Sequence, residues 1–574
     1  MDWKIIILIV VGLVGFFIFQ KCSEREAPNF DRIQARKQAE NRAEHDQKKQ
    51  KELAAKTHEK FTAARKTRGD RPIPQTVALE SDDYIATLSS RGAGLKSFTL
   101  KNPQYLEAPR STETGLRDED AEEYVPVNLV TTNTEKFELN TPLRFEIYES
   151  EGLEALLPDS DFEIVEQTDR KAVFRYTQPG VPVSIYKKFE VDDKHGPFQI
   201  WLTVRVENTG ESNIRFRAAV SQHGYQHDTE AGGGMFSKQP NLLQGVCRYG
   251  EETMASAWKE DDLDRPFSGI GAISFVGVET NYFMSAMIPG DDTPASCFLV
   301  EVLDSPAKYP THDSQPWGHV KAELRFGEVE LGPGESKIFK VKNYLGPKRY
   351  QLLRSIGHRL EEAVDFGWLA PICKVLLWIL FAFQSVVINW GVAIILLTVV
   401  VKLVLMPLTH RSFKSADKMK ALKPEVDKIN EKYKDDAQAK QQATMALYKQ
   451  HKVNPLGGCI PTALQMPIWF ALFRTLRASP ELYRAPFFGW ITDLSSPDPY
   501  FVTPVIMGAM MFVQQKFTPM TGDSAQAKMM MYFMPIMFGA MMLFFPSGLT
   551  LYILVNTVLS IVHQVIIHRR SGKN

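Results

Sequence analysis

One lysine stands where lysine is expensive. Lys402 lies inside the apolar run Trp390–Leu408, and it is the only Asp, Glu, Lys or Arg within the five apolar runs of the last third of the chain. A cation at the bilayer centre costs about 2.5–3.5 kcal/mol on insertion scales. Snorkelling is the bland reading, because Thr409, at the inner end, is seven residues away, roughly 10 Å at 1.5 Å per residue. Thr398 argues the other way, standing four residues earlier on the same helical face. Gln465, Gln514, Gln515, Asn556 and Ser560 put further polar groups into other runs. Singly, each could be a helix–helix hydrogen bond worth about 0.6 kcal/mol. Together with a lysine they could line a wet cavity open to the cytoplasm. The chemistry of such a site is attraction and hydration, with no bond made or broken.

The elements holding Lys402 are membrane spans. Residues 529–567 contain no Asp, Glu, Lys or Arg across 39 positions, far beyond the ~20 that cross a bilayer. The segment must fold back near Phe545-Pro546-Ser547-Gly548, giving spans Met529–Phe545 and Leu549–Ile567. Leu456–Phe473 and Tyr500–Gln515 supply two more. An earlier run, Ile5–Phe19, follows Lys4 and is read as an uncleaved anchor, since Phe17-Ile18-Phe19-Gln20-Lys21-Cys22 lacks the small residues of a cleavage site. Trp368–Asn389 is also apolar, and charge parity decides against it. Loop 409–454 carries 11 Lys/Arg against 6 Asp/Glu, and the tail carries Arg569, Arg570 and Lys573. Counting 368–389 as a span would strand one of these basic segments outside, against the positive-inside rule. Interrupted by Lys374 and Gln384, it reads as an amphipathic helix in the outer interface.

The layout is a multispan α-helical membrane protein with six spans, both ends cytoplasmic, plus a large outer domain. Residues 1–22 are the anchor and 23–75 a polar tether, too poor in apolar residues for a core. Residues 76–345 alternate as strands do. Phe198–Val206 is the clearest case, followed by a turn at Asn208-Thr209-Gly210 and by Ile214–Val220. Strands without helical partners predict an antiparallel β-sandwich. Residues 346–389 are a linker and the interfacial helix, and 390–567 are a five-span core. The core includes a cytoplasmic helical hairpin, 410–454, made of Met419–Tyr433 and Gln438–Lys452 with a break at Asp435-Asp436. Residues 568–574 are a short basic tail.

Other classes find little support. With 67 basic and 67 acidic residues, the chain has no net charge, so it lacks the basic excess of a nucleic-acid binder. Cys22, Cys247, Cys297, Cys373 and Cys459 show neither a disulfide framework nor metal-ligand spacing. His223 and His227 stand four apart in a glycine-rich stretch read as loop, and Gly232-Gly233-Gly234 lacks the lysine and context of a phosphate loop. No metal, cofactor or catalytic residue is expected. Eleven of the 20 methionines fall between 507 and 542. They are either core packing or an adaptable surface for apolar partners.

Several motifs resemble the YidC-type membrane protein insertase family. They are Met406-Pro407-Leu408-Thr409, Met445-Ala446-Leu447-Tyr448-Lys449, Val453-Asn454-Pro455-Leu456-Gly457-Gly458-Cys459 and Gln465-Met466-Pro467-Ile468. Asp493-Leu494-Ser495, Asp498-Pro499-Tyr500, Met534-Pro535 and Phe545-Pro546-Ser547-Gly548-Leu549 continue the series, in order over 365–567. The rest matches the Gram-negative form in architecture, with a sandwich of the sugar-mutarotase-like type.

The resemblance implies a non-enzymatic insertase and chaperone in the bacterial inner membrane, its large domain periplasmic. A hydrophilic groove, open to cytoplasm and lipid and closed outside, would take up the substrate. In the family the groove cation is usually arginine; here the matching residue is Lys402. Thr398, Gln515 and Tyr552 match other groove positions, Ile553 stands at a second aromatic position, and Gln465 adds a polar group. The implied partners are nascent membrane proteins, lipid, the Sec translocon, and the ribosome and signal recognition components through loop 410–454. Two rival readings are a membrane-anchored carbohydrate-active enzyme and a channel or transporter. The second would need polar residues along a complete path.

Overall fold

The computed structural model describes residues 73–571 apart from 112–122, 133–139, 152, 154–159, 228–242, 256–266, 291–294, 304–317, 434–435, 452–459 and 518–524. The anchor, the tether up to residue 72, Gly232-Gly233-Gly234 and the motif Val453–Cys459 lie outside the described residues. Residues 74–522 with 531–574 form one compact unit, and 1–73 with 523–530 group separately.

Between Thr76 and Pro347 every regular element among the described residues is a strand, and these form mainly a nine-stranded and a six-stranded antiparallel sheet. Alternation sets which face each strand buries. In Gln199–Asn208, Ile200, Leu202, Val204 and Val206 are fully buried, while Arg205 points outward. Leu202 sits opposite Phe189 on one neighbouring strand and Val341 on the other. The strand ends in a turn held by Asn208. Its side-chain amide donates to the carbonyls of Ser212 (2.8 Å) and Leu331 (3.0 Å), and its Oδ1 accepts from the Gly210 amide at 2.9 Å. Strand Ile273–Glu279 of the larger sheet packs on Gly318–Phe326 of the smaller. Val320, Ala322 and Leu324 lie in the layer between them.

Two sequence expectations are overturned in this sandwich. Cys247 and Cys297, 50 residues apart, form a disulfide. It joins strand Gln244–Tyr249 of the larger sheet to Ala295–Leu303 of the smaller. The pair belongs to no spacing signature, because only sheet order brings these strands together. His223 is not in a loop. It lies within strand Ile214–Gln226, and its ring stacks on His319 with centroids 5.1 Å apart.

Nine α-helices follow among the described residues. These are α1 (Tyr350–Ile356), α2 (Ala370–Val387), α3 (Trp390–Ala421), α4 (Lys423–Lys432), α5 (Ala437–Gln450), α6 (Ile460–Ala478), α7 (Val502–Phe517), α8 (Ala525–Met542) and α9 (Ser547–Ser571). The long apolar run divides as α8 and α9, with Pro546 at the break. The hairpin differs from expectation. Helix α3 continues past the apolar run to Ala421, and Pro424 in the first turn of α4 marks the new start. Asp436 then caps α5, its carboxylate accepting from the amides of Gln438 and Ala439. Leu422, Val426 and Tyr448 bury a small core between α4 and α5.

Three helical stretches among the described residues are long and apolar enough to cross a membrane: Gly367–Val387, Trp390–Pro407 and Ser547–Ile567. Val502–Gln515 is apolar but shorter. The first stretch includes the segment that charge parity assigned to the interface. Its Cys373, Leu376, Leu377 and Leu380 are buried, α2 packing on α3 and α6, while Trp368, Val375 and Trp378 are exposed.

Candidate functional site

Helices α3 and α9 lie side by side and parallel, and three contacts fix their register. Near the N-terminal ends of both helices a Cβ placed on Gly548 would stand 3.4 Å from Ile394 Cδ1. Eight residues further along α3, the Lys402 ammonium donates to Asn556 Oδ1 at 3.2 Å and to Ser560 Oγ. Another eight residues on, the rings of His410 and His563 stack with centroids 5.9 Å apart. At 1.5 Å per residue, Lys402 is thus about 12 Å from either landmark. Its charge is held between these landmarks by the facing turn of α9, Asn556 level with it and Ser560 one turn nearer His563.

The other expected residues divide between this seam and its surroundings. Asn556 and Lys402 are half-buried and Ser560 is buried, its hydroxyl also donating to the Asn556 carbonyl at 2.7 Å. Tyr552, one turn before Asn556, is buried with its hydroxyl beside Gln465 of α6. Ile553 is half-buried against the helical core, and Gln515 is half-buried near the end of α7, which packs along α9. Thr398 behaves differently from the expected lining residue. It is 1% exposed, and its hydroxyl donates to Ile394 O at 2.7 Å, within its own helix. Its face is shared with Lys402, but its polarity is spent on the backbone. Sequence reasoning noted Asn556 and Ser560 as polar groups and missed His410 and His563. The i, i+8 spacing of Lys402 and His410 was the available signal.

No Asp or Glu pairs with Lys402 among the described residues, and both its hydrogen-bond acceptors are neutral. An ion pair would cancel the charge; Asn and Ser satisfy donors and leave it in place. The seam therefore holds a half-buried cation that no described carboxylate neutralises, placed where attraction to an anion exceeds that in bulk water.

The N-terminal end of α9 is tied down. Ser547 Oγ donates to the carbonyls of Asp493 and Ser496, both at 2.9 Å, and the Gly548 amide donates to Leu494 O at 3.0 Å. A Cβ at Gly548 would lie 3.1 Å from that oxygen, so a larger residue would require the loop to give by a few tenths of an ångström. Asp498 organises the start of α7, accepting from the Thr503 amide and hydroxyl (both 2.7 Å), the Tyr500 amide and Trp490 Nε1 (both 3.0 Å). Burial alone would raise the Asp498 carboxyl, but these donors outweigh it and hold the group below its usual range.

This loop also docks on the sandwich. Gln104 Nε2 donates to the carbonyls of Glu481 (2.7 Å) and Tyr483 (3.0 Å), and Tyr483 returns its hydroxyl to Leu106 O at 2.9 Å. Burial at this joint pushes the Glu481 carboxyl up to about 7, with Arg349 offsetting only part of the cost.

A second polar cluster lies in the six-stranded sheet. Lys321 bridges Glu146 (3.0 Å) and Glu323 (2.5 Å), Arg325 also binds Glu323 (2.6 Å), and Ser221 Oγ donates to Glu146 at 3.1 Å. Burial, with His319 and Lys321 nearby, holds His223 well below the usual histidine range. These groups satisfy one another, which is the pattern of a structural network. Among the described residues no three His, Cys, Asp or Glu are grouped as metal ligands.

The chain matches the family model described as 60Kd inner membrane protein over residues 382–574 and the YidC periplasmic domain model over 76–379. It is 34% identical over 497 residues to the membrane protein insertase YidC of Geotalea daltonii, covering 86% of this chain and 87% of that one. The corresponding protein of Anaeromyxobacter sp. Fw109-5 is 36% identical over 503 residues, covering 86% and 85%. Among solved structures, the chain is similar to the crystal structure of an active YidC insertase with its first transmembrane domain resolved. That match has 16% identity, covers 86% of this chain and 92% of the other, and has a TM-score of 0.35.

Proposed function

The chain belongs to the YidC family of membrane protein insertases, and we propose that the Lys402 seam is the part of it that receives a substrate's polar segment. The observation that carries this reading is a mid-helix ammonium held only by neutral acceptors. A substrate helix of about 20 apolar residues gains roughly 6–12 kcal/mol on entering lipid, at 0.3–0.6 per residue. Each charge on the short segment that must cross ahead of it costs about 2.5–3.5 kcal/mol at the bilayer centre. Two or three charges cancel most of the gain. A hydrated groove with its own cation shortens the dry path of that segment and attracts acidic groups. The membrane potential adds about 2.3 kcal/mol per charge per 100 mV. Insertion then proceeds on substrate hydrophobicity, and the same apolar faces serve as a chaperone while the helix passes to lipid.

The wider arrangement is part of the proposal. Six spans, both termini in the cytoplasm and residues 76–345 in the periplasm agree with the basic bias of 409–454. The Cys247–Cys297 disulfide suits an oxidising compartment. The outer ties of Ser547 and Gly548 support closure on the periplasmic side, with Tyr552, Ile553, Gln465 and Gln515 around the groove and Thr398 buried beside it on the helix that carries Lys402. Substrates would arrive from the ribosome, the signal recognition machinery or the Sec translocon, with hairpin 410–454 as the cytoplasmic contact.

The test is insertion of a substrate series with zero to three acidic residues in the outer tail, in cells depleted of the native protein. Lys402→Arg is expected to support the series. Lys402→Ala and Lys402→Glu should lose about tenfold for the most acidic tails, equivalent to about 1.4 kcal/mol of barrier. Normal insertion of the whole series by Lys402→Ala would refute the role of the cation.

A further inference from the structure

Asn556 and Ser560 stand four residues apart on α9, one turn of a helix, and both face Lys402. Asn556 lies midway between Gly548 and His563, at the level where the parallel register of α3 and α9 places the lysine, and Ser560 lies one turn nearer His563. Burying an ammonium next to a carboxylate would be the ordinary way to stabilise it. Here the partners are an amide oxygen and a hydroxyl, and Ser560 is itself oriented by its bond to the Asn556 carbonyl. An ammonium has three donors. Among the described residues two are used, which leaves the third for water or an incoming acceptor.

We propose that Asn556 and Ser560 are positioning residues that form a neutral cradle, holding the Lys402 charge at mid-depth without cancelling it, and so set the preference for substrates with acidic outer segments. The proposal rests on Lys402 being the working cation. Its own content is that neutrality at position 556 matters. A carboxylate there would keep the geometry, since Asp is nearly isosteric with Asn, and would pair with the lysine permanently. An acidic tail would then meet an occupied cation. A purely structural role for Asn556 predicts no dependence on tail charge: an aspartate would leave every tail unaffected where the fold accepts it, or lower all tails equally where it does not.

The experiment uses the full-length protein in depleted cells, with the same substrate series and with variant abundance measured. Asn556→Asp is expected to insert neutral tails within about twofold of wild type and to lose about tenfold on the most acidic tails. Asn556→Gln, neutral and able to accept, should restore most of that loss. In Asn556→Leu with Ser560→Ala the lysine is released, and adding Lys402→Ala should cause little further loss because the three act as a unit. If Asn556→Asp handles every tail as wild type does while Lys402→Ala fails on acidic ones, the cradle is refuted and the cation survives. If Asn556→Asp loses neutral and acidic tails equally, its role is structural and the proposal is overturned. If Lys402→Ala also inserts the whole series normally, the underlying reading fails with it.

Discussion

A buried charge is informative only when its partners are known. Lys402 stood out in the sequence because nothing else in its run or the four others is charged, and the cost of placing it there is a few kcal/mol. Its acceptors were visible as polar residues, yet which of Gln465, Gln515, Asn556 and Ser560 would meet it depended on a helix register that apolar runs do not encode. Thr398 shows the opposite limit. Periodicity put it on the lysine's face, but a threonine in a helix can turn its hydroxyl to the carbonyl four residues back, and this one does. Glu481 gave no sequence signal, since its burial comes from the joint between loop and sandwich. Its carboxyl, raised to about 7, favours the protonated form in the folded state. Its stabilising contribution is therefore complete below about 4.5, falls between 4.5 and 7, and is flat above. Glu481→Gln, which mimics the protonated acid, should raise the thermal unfolding temperature of the full-length protein in detergent at pH 8. The gain corresponds to up to about 3 kcal/mol. The difference should vanish near pH 4.5. A constant difference across this range would mean that the group does not titrate there.

Elements carried more of the answer than individual contacts did. Strand alternation in Gln199–Asn208 was legible because one face is buried and the other wet, as a two-residue period requires. Sheet order was not legible, and with it went the Cys247–Cys297 bond and the stacking of His223 on His319. The division of 529–567 at Pro546 was legible, because a span has a fixed length and proline with glycine marks the turn. What the turn does next was hidden. Ser547 becomes the first residue of α9 and fastens the helix to the 493–496 loop. Ser547→Ala removes one donor shared by two carbonyls and should lower stability by about 1–2 kcal/mol. It should also open the outer end, so that a cysteine at Leu494 becomes more reactive toward an impermeant reagent added from the periplasmic side. Unchanged stability and unchanged reactivity would mean that the tie is incidental.

At the scale of the whole molecule, the proposed function calls for a polar recess that reaches the middle of the membrane from one side only. The helical unit offers a positive centre about halfway along the α3–α9 pair and a braced outer end, while the sandwich grips the same outer loop through Gln104, Leu106 and Tyr483. The most direct test of this account is water access from each face. Cys22, Cys373 and Cys459 would be replaced, leaving the Cys247–Cys297 disulfide intact, and single cysteines placed at 398, 515 and 553. A small water-soluble thiol reagent would be applied to spheroplasts and to inverted vesicles. In variants that still insert substrate, 515 and 553 should react from the cytoplasmic face and stay silent from the periplasmic face, with 398 protected from both. Protection of both 515 and 553 on the cytoplasmic side would mean a dry helix interface, and would contradict a groove in this protein.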